Sequence, residues 1–257
     1  MHEAYLKKQR QHRWFVRNAR ITIFVLFLVT WELTAHFGVI DSFIFSSPSQ
    51  VMECFYKMIL DKSIFHHVGI TLYETLISFS LVTTLSIVFA TLLWSSQKLL
   101  EIMEPFLVAL NSLPKSALAP LLIVWLGANQ TTIIVAGLSV AIFGSILNMT
   151  TSFKEIDSDK LKLIYTLNGT KVQALTKVVI PGSVPSIVSN MKVNIGLCLV
   201  GVIIGEFLAA RSGLGYLIIY ASQTFKLDWV LMSIVLLCLI AMGLYGIIGK
   251  LEKQFKQ

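Results

Sequence analysis

The stretch Lys154–Pro181, KEIDSDKLKLIYTLNGTKVQALTKVVIP, is a charged interruption in an otherwise apolar chain. Its apolar residues recur at helical spacing, first Leu161, Ile164 and Tyr165, then Val172, Leu175 and Val179. Asn168-Gly169 breaks the pattern, and Thr170-Lys171-Val172-Gln173 has the form of a capping box that opens a second helix. Pro181 is where that second helix is expected to stop. Two short amphipathic helices with an apolar ridge and no evident core to bury it predict a docking site for a soluble partner.

The residues around this loop set its context. The chain has 257 residues, is 55% hydrophobic and 14% charged, and has a mean hydropathy of +0.75. Soluble globules carry about 25% charged residues, so the composition predicts an all-α integral membrane protein. Thr75–Gln97 and Trp229–Gly249 are uncharged and long enough for the roughly 20 residues that a spanning helix needs. Ile21–Ile40 is interrupted by Glu32, and Val184–Ala210 carries Lys192 and Glu206. Ser116–Phe153 divides at Gly127-Ala128-Asn129-Gln130-Thr131, while Phe106–Gly127 contains Pro114 and Pro120. Six transmembrane helices follow, over about 21–40, 70–96, 105–127, 131–153, 184–210 and 229–249. They form one membrane domain, 21–257, behind a basic arm at 1–20, with the loop at 154–181. Ser47-Pro48-Ser49 looks like a helix start, and the residues after it predict an amphipathic helix lying at the outer surface. Residues 211–228 are expected to form a second outer loop.

The net charge of +7 orients the chain. With the N-terminus in the cytosol, fifteen basic residues fall inside: Lys7, Lys8, Arg10, Arg13, Arg17, Arg20, Lys98, Lys154, Lys160, Lys162, Lys171, Lys177, Lys250, Lys253 and Lys256. Only four, Lys57, Lys62, Arg211 and Lys226, fall outside, so both termini and the 154–181 loop are expected in the cytosol. The same argument makes the positive charge a membrane signal and not a nucleic-acid footprint. The long first apolar stretch lacks a small-x-small site after it and reads as an uncleaved span. Cys54, Cys198 and Cys238 are scattered without metal spacing and read as packing residues.

Chemistry is sparse. Gly243–Lys250 has the wrong glycine spacing for a phosphate loop, with Leu251 where a hydroxyl residue is required. His66-His67 is too small a set to close a metal site, and no G-x-S-x-G is present. No catalytic residue, metal site or bound cofactor is therefore expected, and energy for any uphill work must come from a partner or an ion. Charges within spans cost on the order of 2.5–3.5 kcal/mol each at a helix centre. Glu206 suits either a pathway role or the capping of nearby backbone. Lys192 suits an ion pair or a substrate contact, Glu32 a structural anchor, and Lys115 irregular backbone beside Pro114.

The order of these features resembles the permease subunits of bacterial ABC importers, in the nitrate, sulfonate, taurine and bicarbonate group. The resemblance is carried by Trp31-Glu32-Leu33, Ser47-Pro48-Ser49-Gln50-Val51, Leu122–Gly127, Val178-Val179-Ile180-Pro181, Gly205-Glu206-Phe207-Leu208, Ser212–Ile218 and Lys250-Leu251-Glu252. In that family the cytosolic loop carries Glu-Ala-Ala, three residues, Gly, nine residues, and Ile-x-Leu-Pro. Here those positions hold Lys162-Leu163-Ile164, Asn168 and Val178-Val179-Ile180-Pro181. The tail matches conservatively, and the head does not, since Lys162 reverses the charge of the acid.

The resemblance implies a type I ABC importer permease fold in the bacterial cytoplasmic membrane. It implies an ATP-binding ABC subunit holding ATP and Mg, an extracytoplasmic solute-binding protein, and a second permease copy. Leu161, Lys162, Leu163, Ile164, Asn168, Gly169, Thr170 and Pro181 would couple to the ATPase, and Glu206 and Lys192 would be candidates for the translocation path. The cargo it implies is a small anion such as a sulfonate, taurine or nitrate. An ion-coupled secondary transporter or channel remains an alternative on the residues alone, and a membrane-embedded enzyme is opposed by the missing catalytic groups.

Overall fold

Pro114 decides the shape of the third apolar segment. It has no N–H to donate and holds Leu113 in an extended conformation (φ −64°, ψ 138°), so the helix cannot continue through it. The single helix expected over 105–127 is instead a pair, Gln97–Ser112 and Lys115–Leu126, bent by 95°. The computed structural model describes residues 2–255; Met1, Lys256 and Gln257, and with Lys256 one charge of the expected inward-facing set, lie outside them.

Twelve α-helices follow one another among the described residues: α1 (His2–His36), α2 (Ser42–Phe45), α3 (Pro48–Leu60), α4 (Ser63–Ser95), α5 (Gln97–Ser112), α6 (Lys115–Leu126), α7 (Gln130–Lys154), α8 (Ser158–Thr166), α9 (Lys171–Ala174), α10 (Ile180–Ala209), α11 (Leu214–Gln223) and α12 (Leu227–Phe255). No strand occurs among the described residues. Five helical stretches are long and apolar enough to cross a membrane, and the bent α5–α6 pair makes a sixth if it counts as one span.

The core is the packing of α7 against α4 and α10, and it depends on small residues. A Cβ added at Gly137 would lie 2.6 Å from the Ser78 hydroxyl and 2.8 Å from Val202. One added at Gly201 would lie 2.8 Å from the Gly137 backbone. Backbones can approach this closely only where side chains are absent, the usual device where lipid supplies no hydrophobic drive between helices. Polar contacts complete the seam. Ser78 donates to the Ile134 carbonyl, and the Asn190 and Asn194 amides donate to the Ser145 hydroxyl at 3.0 and 2.7 Å.

Pro181 does not end the second loop helix. Leu175–Val179 forms a π-turn in which Ile180 N–H bonds to the Leu175 carbonyl, and the helix runs on to Ala209. The wider turn takes up the missing donor and the ring bulk of a proline that a regular α-turn would not accept. Lys171–Ala209 is thus one continuous helical rod, and the helix that carries the span expected over 184–210 begins well before residue 184.

Helix α3 starts as its sequence predicts, with Pro48 in the first turn and the Ser47 hydroxyl accepting from Gln50 N–H. It does not lie free at a surface, however. Cys54 and Met58 are buried with Leu214, Leu217 and Met232. The expected 211–228 loop is largely α11, whose Leu214, Leu217 and Ala221 are buried. Glu32 faces protein: its two carboxylate oxygens accept from the Ser49 N–H and hydroxyl at 3.0 and 2.8 Å, joining α1 to the N-terminus of α3.

Candidate coupling site and carboxyl cluster

The α8–α9 loop is built as a rigid corner. The Asp157 side chain caps α8 by accepting from Asp159 N–H. At the other end Asn168 takes a left-handed conformation (φ 60°). Its N–H bonds to Tyr165 O at 3.0 Å, and Gly169 N–H bonds to Ile164 O at 2.8 Å. This is a Schellman ending with asparagine where glycine is usual. Gly169 has a separate reason to be glycine, since a Cβ there would meet the Ile164 side chain and carbonyl at 2.5 and 2.7 Å. Thr170 and Gln173 then form the capping box in both directions, which starts α9 immediately after the turn.

The apolar ridge divides between two roles. Leu161, Leu175 and Val179 pack inward against Phe153, Met149, Ala90 and Trp94, so the loop has a core after all. Leu163, Tyr165, Leu167 and Val172 stay exposed, at 60, 47, 72 and 68%. Leu167 was missed in the sequence because it follows the last regular turn of α8. Lys162, at the position of the family's acid, is exposed and pairs with Asp159 at 2.9 Å along its own helix. Ile164 is half-buried, and Pro181 is exposed in the first turn of α10. Lys171 donates to the Ser95 carbonyl at 2.5 Å and sits 5.9 Å from the Trp94 ring, which pins α9 to the end of α4.

At the opposite end of the bundle, two motifs that the sequence showed separately meet at one carboxylate. Glu206 is 1% exposed. Its Oε1 accepts from the Thr71 hydroxyl at 2.6 Å and its Oε2 from Gly215 N–H at 2.5 Å. Thr71 in turn accepts from Leu214 N–H at 2.8 Å, and Gly213 N–H donates to His67 Nδ1 at 3.0 Å. Gly213 (φ 118°) and Gly215 lack side chains because a Cβ at either would run into Glu206. Glu74 adjoins this group, its buried carboxyl close to Glu206 and Gln130. Its contribution was invisible in sequence, where it is one acid at the start of a long span. Glu206 thus holds the turn between α10 and α11.

Lys192 lies far from Glu206, in the half of α10 nearer α8 and α9. It forms an ion pair with Glu252 of α12 and lies 4.8 Å from the Tyr245 ring. Lys115 donates to the Leu110 carbonyl and so completes the broken end of α5. Between α7 and α10, near the α8–α9 end, Asn148, Thr151, Ser152, Ser186, Ser189 and Asn190 line a polar groove of about 380 Å³. Hydroxyl and amide groups at this depth in otherwise apolar helices belong beside protein or water, not lipid.

Residues 82–253 match the family model described as binding-protein-dependent transport system inner membrane component. The chain belongs to this family. The permease is accordingly a non-catalytic, multi-pass component of the cell membrane, and ATP hydrolysis in its transport system is carried out by a separate subunit. Family membership also implies a solute-binding protein as partner.

Relatives differ in the cargo for which they are named. The permease is 24% identical over 253 residues to SsuC of Bacillus subtilis (strain 168), a protein named for aliphatic sulfonates transport, covering 98% of this chain and 88% of that one. It is 26% identical over 230 residues to the formylaminopyrimidine transport permease protein ThiX of Halalkalibacterium halodurans, covering 89% and 91%. Among solved structures, a chain of the MetNI methionine ABC transporter in an inward-facing conformation superposes with a TM-score of 0.67 at 17% identity. That match covers 74% of this chain and 95% of the other. It establishes a type I ABC importer permease fold.

Proposed function

We propose that this permease moves a small oxyanion, of which a sulfonate is the type, into the cytosol on ATP hydrolysis by an ABC subunit docked on the 154–181 loop. The observation that carries the reading is mechanical. Exposed Leu163, Leu167 and Val172 stand on a corner closed by the Schellman turn and the capping box. That corner continues without a joint into α10, so a push on α9 is delivered to a membrane helix. Rigid-body switching needs such a lever. The positive-inside bias puts this loop and both termini in the cytosol. The polar groove between α7 and α10 supplies the inner part of the path, and Glu206 and Lys192 hold helices in place around it. A second copy of the chain completes the pathway. An oxyanion is favoured by the sulfonate-named relative and by the cationic Arg211 just after α10.

The test is uptake by the reconstituted complex of permease, ATPase and binding protein. Val172→Asp and Leu163→Asp should abolish ATP-driven uptake while membrane abundance and the melting temperature of the permease stay at wild-type values. Undiminished uptake in both variants would overturn ATPase coupling through this loop. Uptake of a pyrimidine and not of a sulfonate would overturn the oxyanion assignment, and flux driven by an ion gradient without the ATPase would overturn both.

A further inference from the structure

Next to the Lys192–Glu252 pair, the seam between α10 and α12 opens into an apolar groove of about 340 Å³. Ile195, Gly196 and Leu199 form one wall, and Met242, Leu244 and Tyr245 form the other. Gly196 gives the groove its depth, since a Cβ there would meet nothing within 4 Å. Met242 and Tyr245 are each more than half exposed, so the groove faces outward from the helix bundle. Its level in the membrane follows from helix geometry. Tyr245 and Ala241 precede Lys250, the first charge after the span, by five and nine residues. At 1.5 Å per residue that is about 7 to 14 Å. Half of the hydrocarbon core is about 15 Å thick, so the groove lies within a single leaflet.

The end of the groove nearest Lys250 carries an excess of positive charge. Gly249 leaves room for Lys192, whose ammonium pairs with Glu252 and lies 4.8 Å from the Tyr245 ring. That pair is neutral as a unit. Lys250 and Lys253 are exposed and have no ion-pair partner among the described residues. Eleven residues make about three helical turns, so Lys253 lies on the Met242 face of α12. Gly246, between them on that face, has open space beside it.

Basic clusters at the cytosolic end of grooves between spanning helices attract anionic lipid headgroups. We propose that this groove seats one acyl chain of an anionic phospholipid of the cytosolic leaflet, its phosphate held between Lys250 and Lys253. The inference rests on the permease reading, which puts this end of α12 in the cytosol. Seated there, the lipid bridges α12 to the helix that continues from the 154–181 loop. A span of a second copy is the competing occupant, and charge opposes it. The apolar stretch of α1 is unburied, yet its cytosolic end would bring Arg17 and Arg20 against the same lysines.

The experiment is native mass spectrometry of the full-length permease, with phosphatidylglycerol and phosphatidylcholine of identical acyl chains as probes. One phosphatidylglycerol per chain should be retained at least about tenfold more tightly than phosphatidylcholine. Lys250→Gln combined with Lys253→Gln should remove that preference. Gly196→Leu should lower retention of both lipids, because leucine fills the groove while the lysines remain. The lysine variant changes only exposed side chains and keeps the test decisive should the leucine variant misfold. Glycerol 3-phosphate, the charged head without its chains, should not displace the lipid. Lys98→Gln, at the same face of the membrane but on another helix, should change nothing. Equal retention of the two lipids, a preference that survives loss of both lysines, displacement by glycerol 3-phosphate, or an equal loss in Lys98→Gln would each overturn the site. A smaller oligomer in Gly196→Leu with phosphatidylglycerol still retained would give the groove to a second copy instead. Any of these with ATP-driven uptake still abolished by Val172→Asp removes the lipid site and leaves the permease reading standing. Uptake insensitive to Val172→Asp removes coupling through the loop whichever lipid is retained.

Discussion

The Glu206 carboxylate occupies the space that a side chain at Gly213 would need. Gly213 sits at φ 118°, where L side chains are strained, and its own missing Cβ is replaced by the Glu206 oxygens. The glycine and the acid are therefore one structural unit: the residue that bends the chain also leaves room for the group that holds the bend.

Gly213→Ala should be poorly tolerated for two additive reasons, backbone strain of about 1–3 kcal/mol and overlap with a buried carboxylate that cannot retreat. Glu206→Ala should destabilise by removing the acceptor from Gly215 N–H and Thr71, at about 1–3 kcal/mol for each donor left buried. Glu206→Gln keeps an acceptor for one of them and should lose less. Thermal unfolding of the permease in detergent, followed by size-exclusion chromatography, ranks the three. A melting temperature for Gly213→Ala equal to wild type would show that the α10–α11 turn is not built around Glu206.

The loop makes a comparable distinction between adjacent residues. Asn168 pays only the modest penalty of a non-glycine in the left-handed region, so Asn168→Gly should be neutral or slightly stabilising. Gly169→Ala should drive its methyl into Ile164 and open the corner between α8 and α9. Limited proteolysis at the loop should therefore accelerate in Gly169→Ala and not in Asn168→Gly, with ATP-driven uptake falling in parallel. Equal protease resistance in the two variants would contradict the Schellman geometry.

What could be read in the sequence follows from the range of the interactions involved. The capping box at Thr170 and Gln173 is made within four residues, and its pattern stands in the sequence as it stands in the structure. Spans are legible for the same reason, since hydropathy is a local sum. Pro114 and Pro181 show where local reading fails. Both are prolines in apolar context, yet one breaks its helix and the other is absorbed by a π-turn, and the residues beside them do not distinguish the two outcomes. The Glu206 cluster was beyond reach because its members, Thr71, Glu74 and Gly213, are brought together only by the fold. The inward half of the loop ridge is likewise illegible locally, since its core is supplied by α4 and α7.

Cys54 tests the packing of α3 chemically. Burial first, and then the neighbouring Asp228, push its thiol from about 9 up to about 12. The reactive species is the thiolate, so at pH 8 roughly a thousandfold less of it should be present than for an unperturbed thiol. In a Cys198→Ala, Cys238→Ser background, Cys54 of the folded permease should label with N-ethylmaleimide slowly. The rate should rise about tenfold per pH unit up to pH 9, because the whole range lies below the raised pKa. Asp228→Asn removes a negative neighbour and should quicken labelling at fixed pH, and unfolding in detergent should restore the ordinary rate. Labelling of the folded protein at the free-thiol rate, unmoved by Asp228→Asn, would mean that α3 lies apart from α11 and α12. The Cys54–Leu214–Met232 cluster would then have to be abandoned.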